Sequence, residues 1–375
     1  MSIIIKEIFR KISFAIDEIY EKKHKYLLAR HYDRVTEARL KTIGGGYNGS
    51  KKEFNETVVK YWSKYGIKPK KFCYDFFCAG KSKYDPRYIP NSLYVTEIIP
   101  YFNNMPFRDA YVDKAMFNRL LPNVKKPLTV VKNVAGYYYN GDKEELITRE
   151  EAEKLCWQEE HLIIKPFRSS KGAGIVFYDK NNKTSPSIRS IFDTFGSGFV
   201  AQRIIKQHSV LANINKNSVN TVRVVTFHFK GKVHILSTVL RMGGTDSRVD
   251  NIAQGGRACP IKPDGYLQDR AVDRKSVWYK ETPGGIKYSD IQIPNFNGVI
   301  ETAKRLHLTL PYFNIIGWDF AVDEAGDPVF IEFNGQAEQN QISCGPTFGD
   351  MTEEVLEEVF IKKTLKDVFV KKDFK

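Results

Sequence analysis

An α+β fold is what this sequence predicts: antiparallel hairpins through its middle and end, behind a mostly helical N-terminal extension. Three observations carry it. Residues 314–323 and 328–335 alternate apolar and polar side chains as two strands do, and residues 324–327, with Gly326, supply the turn. Residues 218–227 and 232–241 repeat the pattern across Lys230 and Gly231. Finally, from Ile3 to about Tyr20 the apolar residues Ile5, Ile8, Phe9, Ile12, Ile16, Ile19 and Tyr20 recur at helical spacing, with Lys6, Arg10 and Lys11 between them.

Taken in order, the elements start with that basic amphipathic helix. Its stripe predicts packing against the protein's own core or a partner, and the alternative is an anionic membrane surface. Gly44, Gly45 and Gly46 read as a linker, because no strand-loop-helix context for a phosphate loop surrounds them. A helix over residues 54–65 precedes a Tyr- and Pro-rich stretch to which no chemistry attaches. Residues 113–121 read as a helix stopped by Pro122, and residues 149–157 as another. Two apolar strands then flank a Ser/Gly-rich turn at residues 161–178. Lys165 closes the first strand, and Ser169, Ser170, Lys171, Gly172 and Gly174 can offer backbone N–H groups to phosphate oxygens. A plain hairpin fits that stretch too, and a Walker-type loop does not, since a strand follows. Residues 199–205 form a further strand. A helix near residues 300–306 leads into the C-terminal hairpin, and Thr352 is expected to cap a last helix.

The C-terminal hairpin carries the sharpest chemical signal. Pairing its arms through a four-residue loop sets Trp318 opposite Phe333, Phe320 opposite Ile331 and Val322 opposite Val329, an apolar face. The other face then sets Asp319 opposite Glu332, with Asn334 two residues along, and like charges opposed in a ladder repel. A cation relieves the conflict, and oxygen ligands of this kind suit Mg²⁺, with Mn²⁺ an alternative. A solvated outer face is the bland reading of the same pattern. In the 218–241 hairpin, Arg223 and Arg241 point to opposite faces in the simplest register. Both reach one site only if a bulge intervenes.

Composition narrows the partners. The chain has 375 residues and a formal net charge of +14, which favours anionic ligands. Its basic residues are scattered and no nucleic-acid signature is present, so a nucleic-acid partner is not expected. Five cysteines without metal spacing fit a reducing compartment. No apolar run is long enough to span a membrane and no signal peptide is evident, so a cytoplasmic location, with contact at the inner face of the membrane through the first helix, is expected.

In this order the pieces resemble the ATP-grasp superfamily, most of all its sugar-transfer-associated branch, from about Tyr61 to Phe360. The resemblance implies a nucleotide held between two antiparallel sheets. It also implies nucleotide binding by Lys114, near the start of the domain, phosphate binding by Lys165, cover by the 169–174 loop, adenine contact along Gln202, Arg203, Ile204 and Ile205, and ribose contact through Gln207 or His208. Asp319, Glu332 and Asn334 match the family's metal ligands, and Arg223, Arg241 and Asn251 match positions that hold the γ-phosphate and acyl phosphate in glutamate-adding relatives. Residues 335–341 depart from those ligases' Ser-Pro-Gly run, which leaves the acceptor open. The implied domains are residues 1–50 (helical extension and linker), 51–121 (N-terminal region), 122–205 (small subdomain) and 206–375 (C-terminal subdomain with the metal site). The implied activity is an ATP- and Mg²⁺-dependent carboxylate-amine ligase with Lys165, Arg223 and Arg241 catalytic, taking a small-molecule carboxylate and an amine or sugar substrate in capsule or O-antigen synthesis. A kinase acting on a sugar hydroxyl and a non-catalytic ATP-binding scaffold are the alternatives. The N-terminal helix is expected to mediate homo-oligomerisation or peripheral membrane contact.

Overall fold

The computed structural model describes residues 3–141, 143–167, 174–244 and 255–364. The chain divides into two compact units, one of residues 1–103 with 339–375 and one of residues 104–338.

The first unit is helical. Its α1 (Ile3–Thr42) runs for 40 residues, well past the end of the apolar stripe. The second half of α1 docks, burying Thr36 and Asp33 as the helix packs on α2 (Lys71–Phe77) and on residues Asn91–Leu93. Residues 11–20 do not. Ile12, Ile16, Ile19 and Tyr20 are exposed, which overturns the expectation that the stripe packs on the protein's own core. The glycine run follows α1 directly. All three glycines take positive φ, and a Cβ on Gly46 would lie 2.2 Å from the Asp75 carbonyl oxygen. Thr352 begins the helix Thr352–Glu357 rather than capping it, and its hydroxyl donates to the Gly349 carbonyl at 2.6 Å. Among the described residues no helix is long and apolar enough to cross a membrane.

The second unit contains two antiparallel sheets. The first comprises β1 (Thr129–Val134), β2 (Tyr137–Asn140), β3 (Leu146–Ile147), β4 (His161–Pro166), β5 (Val176–Asp179) and β6 (Phe199–Arg203), in the order β3-β2-β1-β6-β4-β5. Two helices cover one face. Thr148 and Glu151 close a reciprocal capping box on α3 (Arg149–Gln158), and Ser187 accepts from the Ser190 N–H to start α4 (Ile188–Phe195). Ala152, Cys156, Ile191 and Phe192 from these helices bury Val131, Leu162, Ile164 and Phe199. By strand alternation Lys165 and Gln202 therefore lie on the opposite face.

The second sheet comprises β7 (Thr221–Phe229), β8 (Lys232–Met242), β9 (Arg257–Pro260), β10 (Ala271–Asp273), β11 (Trp278–Tyr279), β12 (Ile315–Val322) and β13 (Pro328–Asn334), in the order β11-β10-β9-β8-β7-β12-β13. Trp318, Phe320, Phe330 and Phe333 fill a core with Val299, Ala303 and Leu306 of α5 (Phe296–His307). A buried polar chain pins that core. The Trp318 indole N–H donates to Thr226 Oγ1 at 2.8 Å, and the same hydroxyl meets His307 Nδ1. Burial pushes the His307 imidazole down to about 4, so it stays neutral inside.

The sheets are joined by a short crossing. After β6 the chain leaves the first sheet, Lys206 accepts from the Glu324 N–H at 3.2 Å, Gln207 bridges Asp323 and the His208 N–H donates to the Val322 carbonyl at 2.9 Å. The segment 204–206 is thus a hinge between the end of β6 and the turn that joins β12 to β13.

Candidate active site

Two bulges decide which side chains share the helix-free face of the second sheet. Trp318 pairs with Phe333 and Asp319 with Glu332, as the alternation predicts, but the ladder then shifts so that Phe320 meets Phe330 and Val322 meets Pro328. The expected pairs Phe320 with Ile331 and Val322 with Val329 do not form. Ile331 is the extra residue. Because Phe330 and Phe333 both enter the core, Ile331 and Glu332 both turn to the other face. The second bulge lies in β8, where Val225 pairs with Ser237 and Thr226 with Ile235, leaving Leu236 over. It sets Arg241 opposite Thr221 and Val239 opposite Arg223, so the two arginines share one face.

Asp319 stands between Glu332 on β13 and Arg223 on β7. Its carboxylate is 3% exposed and accepts a two-pronged grip from Arg223, Nε to Oδ1 at 2.5 Å and Nη2 to Oδ2 at 2.7 Å. Arg241 Nη1 adds contacts at 3.3 and 3.5 Å. Burial alone would push the Asp319 carboxyl up; the two guanidinium groups more than offset it and hold it below the usual range. Glu332 pairs with Lys114 at 3.3 Å. The charge conflict between Asp319 and Glu332 is therefore relieved by this chain's own cations, which corrects the argument that it demands a metal.

Glu338 completes the row by accepting from Arg223 Nη1. Its side chain is about half exposed, and the Arg223 and Arg241 guanidinium groups hold its carboxyl below the usual range against partial desolvation. Sequence reading gave it no role, since its partner stands 115 residues away. Its presence in the stretch that breaks the expected Ser-Pro-Gly run was the available signal. Gly317 opens room beside this cluster: a Cβ there would lie 3.2 Å from Ala337 Cβ and 3.6 Å from Arg223 Cδ.

The donor set fits a divalent cation. Asn334 is two residues from Glu332 on one strand, and its amide oxygen is a neutral ligand of the kind a hard cation accepts. Glu332 remains one-third open to solvent. Asp319 is buried and already takes four guanidinium contacts, about as many as an ionised carboxylate has lone-pair positions, so Glu332 and Asn334 are the more open donors of the three. Among the described residues no group of three or more His, Cys, Asp and Glu side chains forms a metal cage.

On the first sheet, Lys165 and Lys132 lie on either side of Val200 in register, on the face away from the helices. Lys132 is buried in an ion pair with Glu144. Gln202 donates to Thr129 Oγ1 at 3.2 Å. Arg203 turns its guanidinium to Glu159, at 2.7 and 2.8 Å, and its backbone N–H donates to the Leu128 carbonyl at 2.9 Å. Ile204 and Ile205 line a cleft of about 320 Å³ together with Lys125, Lys126, Leu128, Lys206, Ala325 and Val329. Burial pushes the Lys126 ammonium group down from its ordinary value. Val329 pairs with Ala321, two residues from Asp319, so the cleft opens on the same face as the carboxylate row. Gln207 is not available for ribose: its amide donates to the Asn215 and Ser218 carbonyls and its oxygen accepts from Asn220. His208 Nδ1 accepts from the Val210 N–H at 3.3 Å. Gly174, at φ +71, fits over Pro166, where a Cβ would meet Cγ at 3.1 Å. Ser169, Ser170, Lys171, Gly172 and Asn251 lie outside the described residues.

A row of paired charges on one sheet, lysines on the free face of another and a hinge cleft between them call for comparison with known nucleotide-binding folds. Residues 96–348 match the sequence model of the sugar-transfer associated ATP-grasp proteins. The chain belongs to that ATP-grasp family. Several solved structures align with it at low similarity. An L-amino acid ligase from Bacillus licheniformis aligns at 13% identity and a TM-score of 0.38, over 69% of this chain and 49% of its own. The D-alanyl-alanine synthetase A of Vibrio cholerae aligns at 12% and 0.39, over 69% and 66%. VanG D-Ala:D-Ser ligase of Enterococcus faecalis aligns at 13% and 0.41, over 69% and 62%. The ATP-grasp chain thus spans about half to two thirds of the length of these proteins, and likeness at this level speaks to neither substrate nor reaction. No curated protein matches it by sequence.

Proposed function

We propose that this ATP-grasp protein is an ATP- and Mg²⁺-dependent carboxylate-amine ligase that works through an acyl phosphate and joins an amino acid or other amine to a sugar acid during cell-surface polysaccharide assembly. One observation carries the reading: Arg223 and Arg241 are fixed on one carboxylate, Asp319, beside the Lys114–Glu332 pair. Two guanidinium groups held in place before substrate arrives are suited to charge that develops on a transferring phosphoryl group. The family's association with sugar transfer and the net charge of +14 support an anionic sugar as the carboxylate partner.

In this scheme the adenine enters the hinge cleft against Ile204, Ile205 and Val329, and the phosphates extend toward Lys114 and Lys165. Glu332, Asn334 and Asp319 would hold Mg²⁺, which when bound would offset negative charge on the transferring phosphoryl group. A substrate carboxylate oxygen attacks the γ-phosphorus and ADP leaves. Arg223 and Arg241 neutralise the transferred group and then the oxyanion on the acyl carbon as the amine nitrogen bonds to it. The bond from that carbon to the phosphate oxygen breaks. Of the two protons that the ammonium sheds, one ends on the released phosphate and one in water.

A coupled ADP-release screen of amino acids against uronic acids and nucleotide sugars tests the proposal, with hydroxylamine included in parallel. Ligase chemistry yields substrate-dependent ADP and a hydroxamate, because only an acyl phosphate acylates hydroxylamine. ADP with a phosphorylated sugar and no hydroxamate would replace the ligase with a kinase, and nucleotide binding without any turnover would leave a scaffold.

A further inference from the structure

We propose that the first half of α1 is a membrane-surface anchor that lays its apolar stripe into an anionic lipid headgroup layer. The observation is a contrast within one helix. From Asp33 onward α1 is docked, with Thr36 only 2% exposed, whereas Ile16, Ile19 and Tyr20 are 59%, 66% and 71% exposed. A globular protein seldom leaves so many large apolar side chains in a row on one helix without a second surface for them. At about 100° per residue Ile12, Ile16, Ile19 and Tyr20 share one side of the helix, while Phe14 lies off it.

The charges select lipid over a second copy of the chain. On the same helical count Lys22 borders the stripe and Lys23 falls in line with it one turn on, as does Arg30 further along. Glu18 and Glu21 lie on the far side, and Glu18 is held there by Lys22 at 2.7 Å. A seam between two helices would bury Lys23 and Arg30 against apolar partners or against their own copies, at the cost of desolvating a cation. A headgroup layer places the same side chains among phosphates, with their aliphatic stems along the hydrocarbon boundary. The helix has no stretch able to span a bilayer, so the contact is peripheral and salt-sensitive. This inference does not rest on the ligase reading.

The test is sedimentation of the full-length protein with vesicles of equal parts phosphatidylglycerol and phosphatidylcholine, and with phosphatidylcholine alone. The wild type is expected to pellet with the anionic vesicles and to be released by salt. Ile16→Asp/Ile19→Asp should weaken binding at least about tenfold, and Lys22→Glu/Lys23→Glu should weaken it as well. All these positions are exposed, so melting temperature and circular dichroism should match the wild type. Failure of the wild type to pellet, or undiminished binding by the Asp double variant, would overturn the proposal. So would light scattering that shows a dimer which the Asp variant dissociates, since a second copy would then occupy the stripe.

Discussion

At the scale of single residues the site turns on Asp319. Two arginines converge on one buried carboxylate, and without it Glu338 would be the carboxylate left facing Arg223. Removing one partner from such a pair costs on the order of 3–5 kcal/mol, because the desolvation of the other is no longer offset. Asp319→Asn should therefore lower the melting temperature at pH 7 and leave Arg223 and Arg241 poorly aimed, with substrate-dependent ADP release down by about 10²–10³-fold. The pH dependence follows from the direction of the shift. A depressed carboxyl contributes stability that is present above its unfolded value of about 3.9 and is lost only as pH falls through the lower folded value. The gap in melting temperature between wild type and Asp319→Asn is expected to stay constant from pH 8 to 5 and to narrow below about 4. A gap that closes between pH 7 and 5 would mean that Asp319 is not held by the arginines in the way the 2.5 and 2.7 Å contacts describe.

At the scale of elements, the two bulges do what no single side chain can: they choose the face. Leu236 is the supernumerary residue of β8, and the pairs on either side of it, Ile235 with Thr226 and Ser237 with Val225, are what a straight ladder would have without it. Deleting Leu236 should leave Arg241 opposite Thr221 and preserve both fold and ADP release. Inserting one alanine after Leu236 forces a wider bulge or slips the strand by one, and a slip turns Arg241 into the core beside Val222 and Leu240. The insertion should abolish activity and lower the melting temperature; a tolerated insertion with a lethal deletion would contradict the register. This is also where reading the sequence reached its limit. The strands of residues 314–335 were legible because strict alternation leaves one apolar face, and the opposition of Asp319 and Glu332 followed from it. The bulge was not, since Ile331 is as apolar as Phe330 and either can be written into the core. A bulge between Arg223 and Arg241 could be stated as a condition but not located. Glu338 and Lys114 were illegible as partners of Arg223 and Glu332 because long chain separations conceal them. The docked half of α1 was missed because its buried face includes Asp33 and Thr36, which hydrophobic periodicity does not count.

At the scale of the molecule, the hinge at residues 204–206 makes a prediction about nucleotide. The two sheets have separate cores, and the crossing chain and its cleft connect the face that carries Lys165 to the face that carries Asp319. A nucleotide that enters the cleft with its base and reaches the charge row with its phosphates bonds to both sheets at once, so its binding energy stabilises both against unfolding. At a ligand concentration near 100 times Kd that linkage is worth about 2.7 kcal/mol, which for a chain of this length is a rise of about 3 °C in melting temperature. ATP with Mg²⁺ should give this rise, and ATP with EDTA a smaller one, if Glu332 and Asn334 hold the cation. Ile204 is exposed at 37%, so Ile204→Asp should leave the ligand-free melting temperature nearly unchanged, within about 0.5 kcal/mol of stability. Placing a carboxylate against the adenine plane should nevertheless remove the ATP-dependent rise. If Ile204→Asp keeps the full rise, the base binds elsewhere, and the cleft between the hinge and the β12–β13 turn is not the nucleotide's seat.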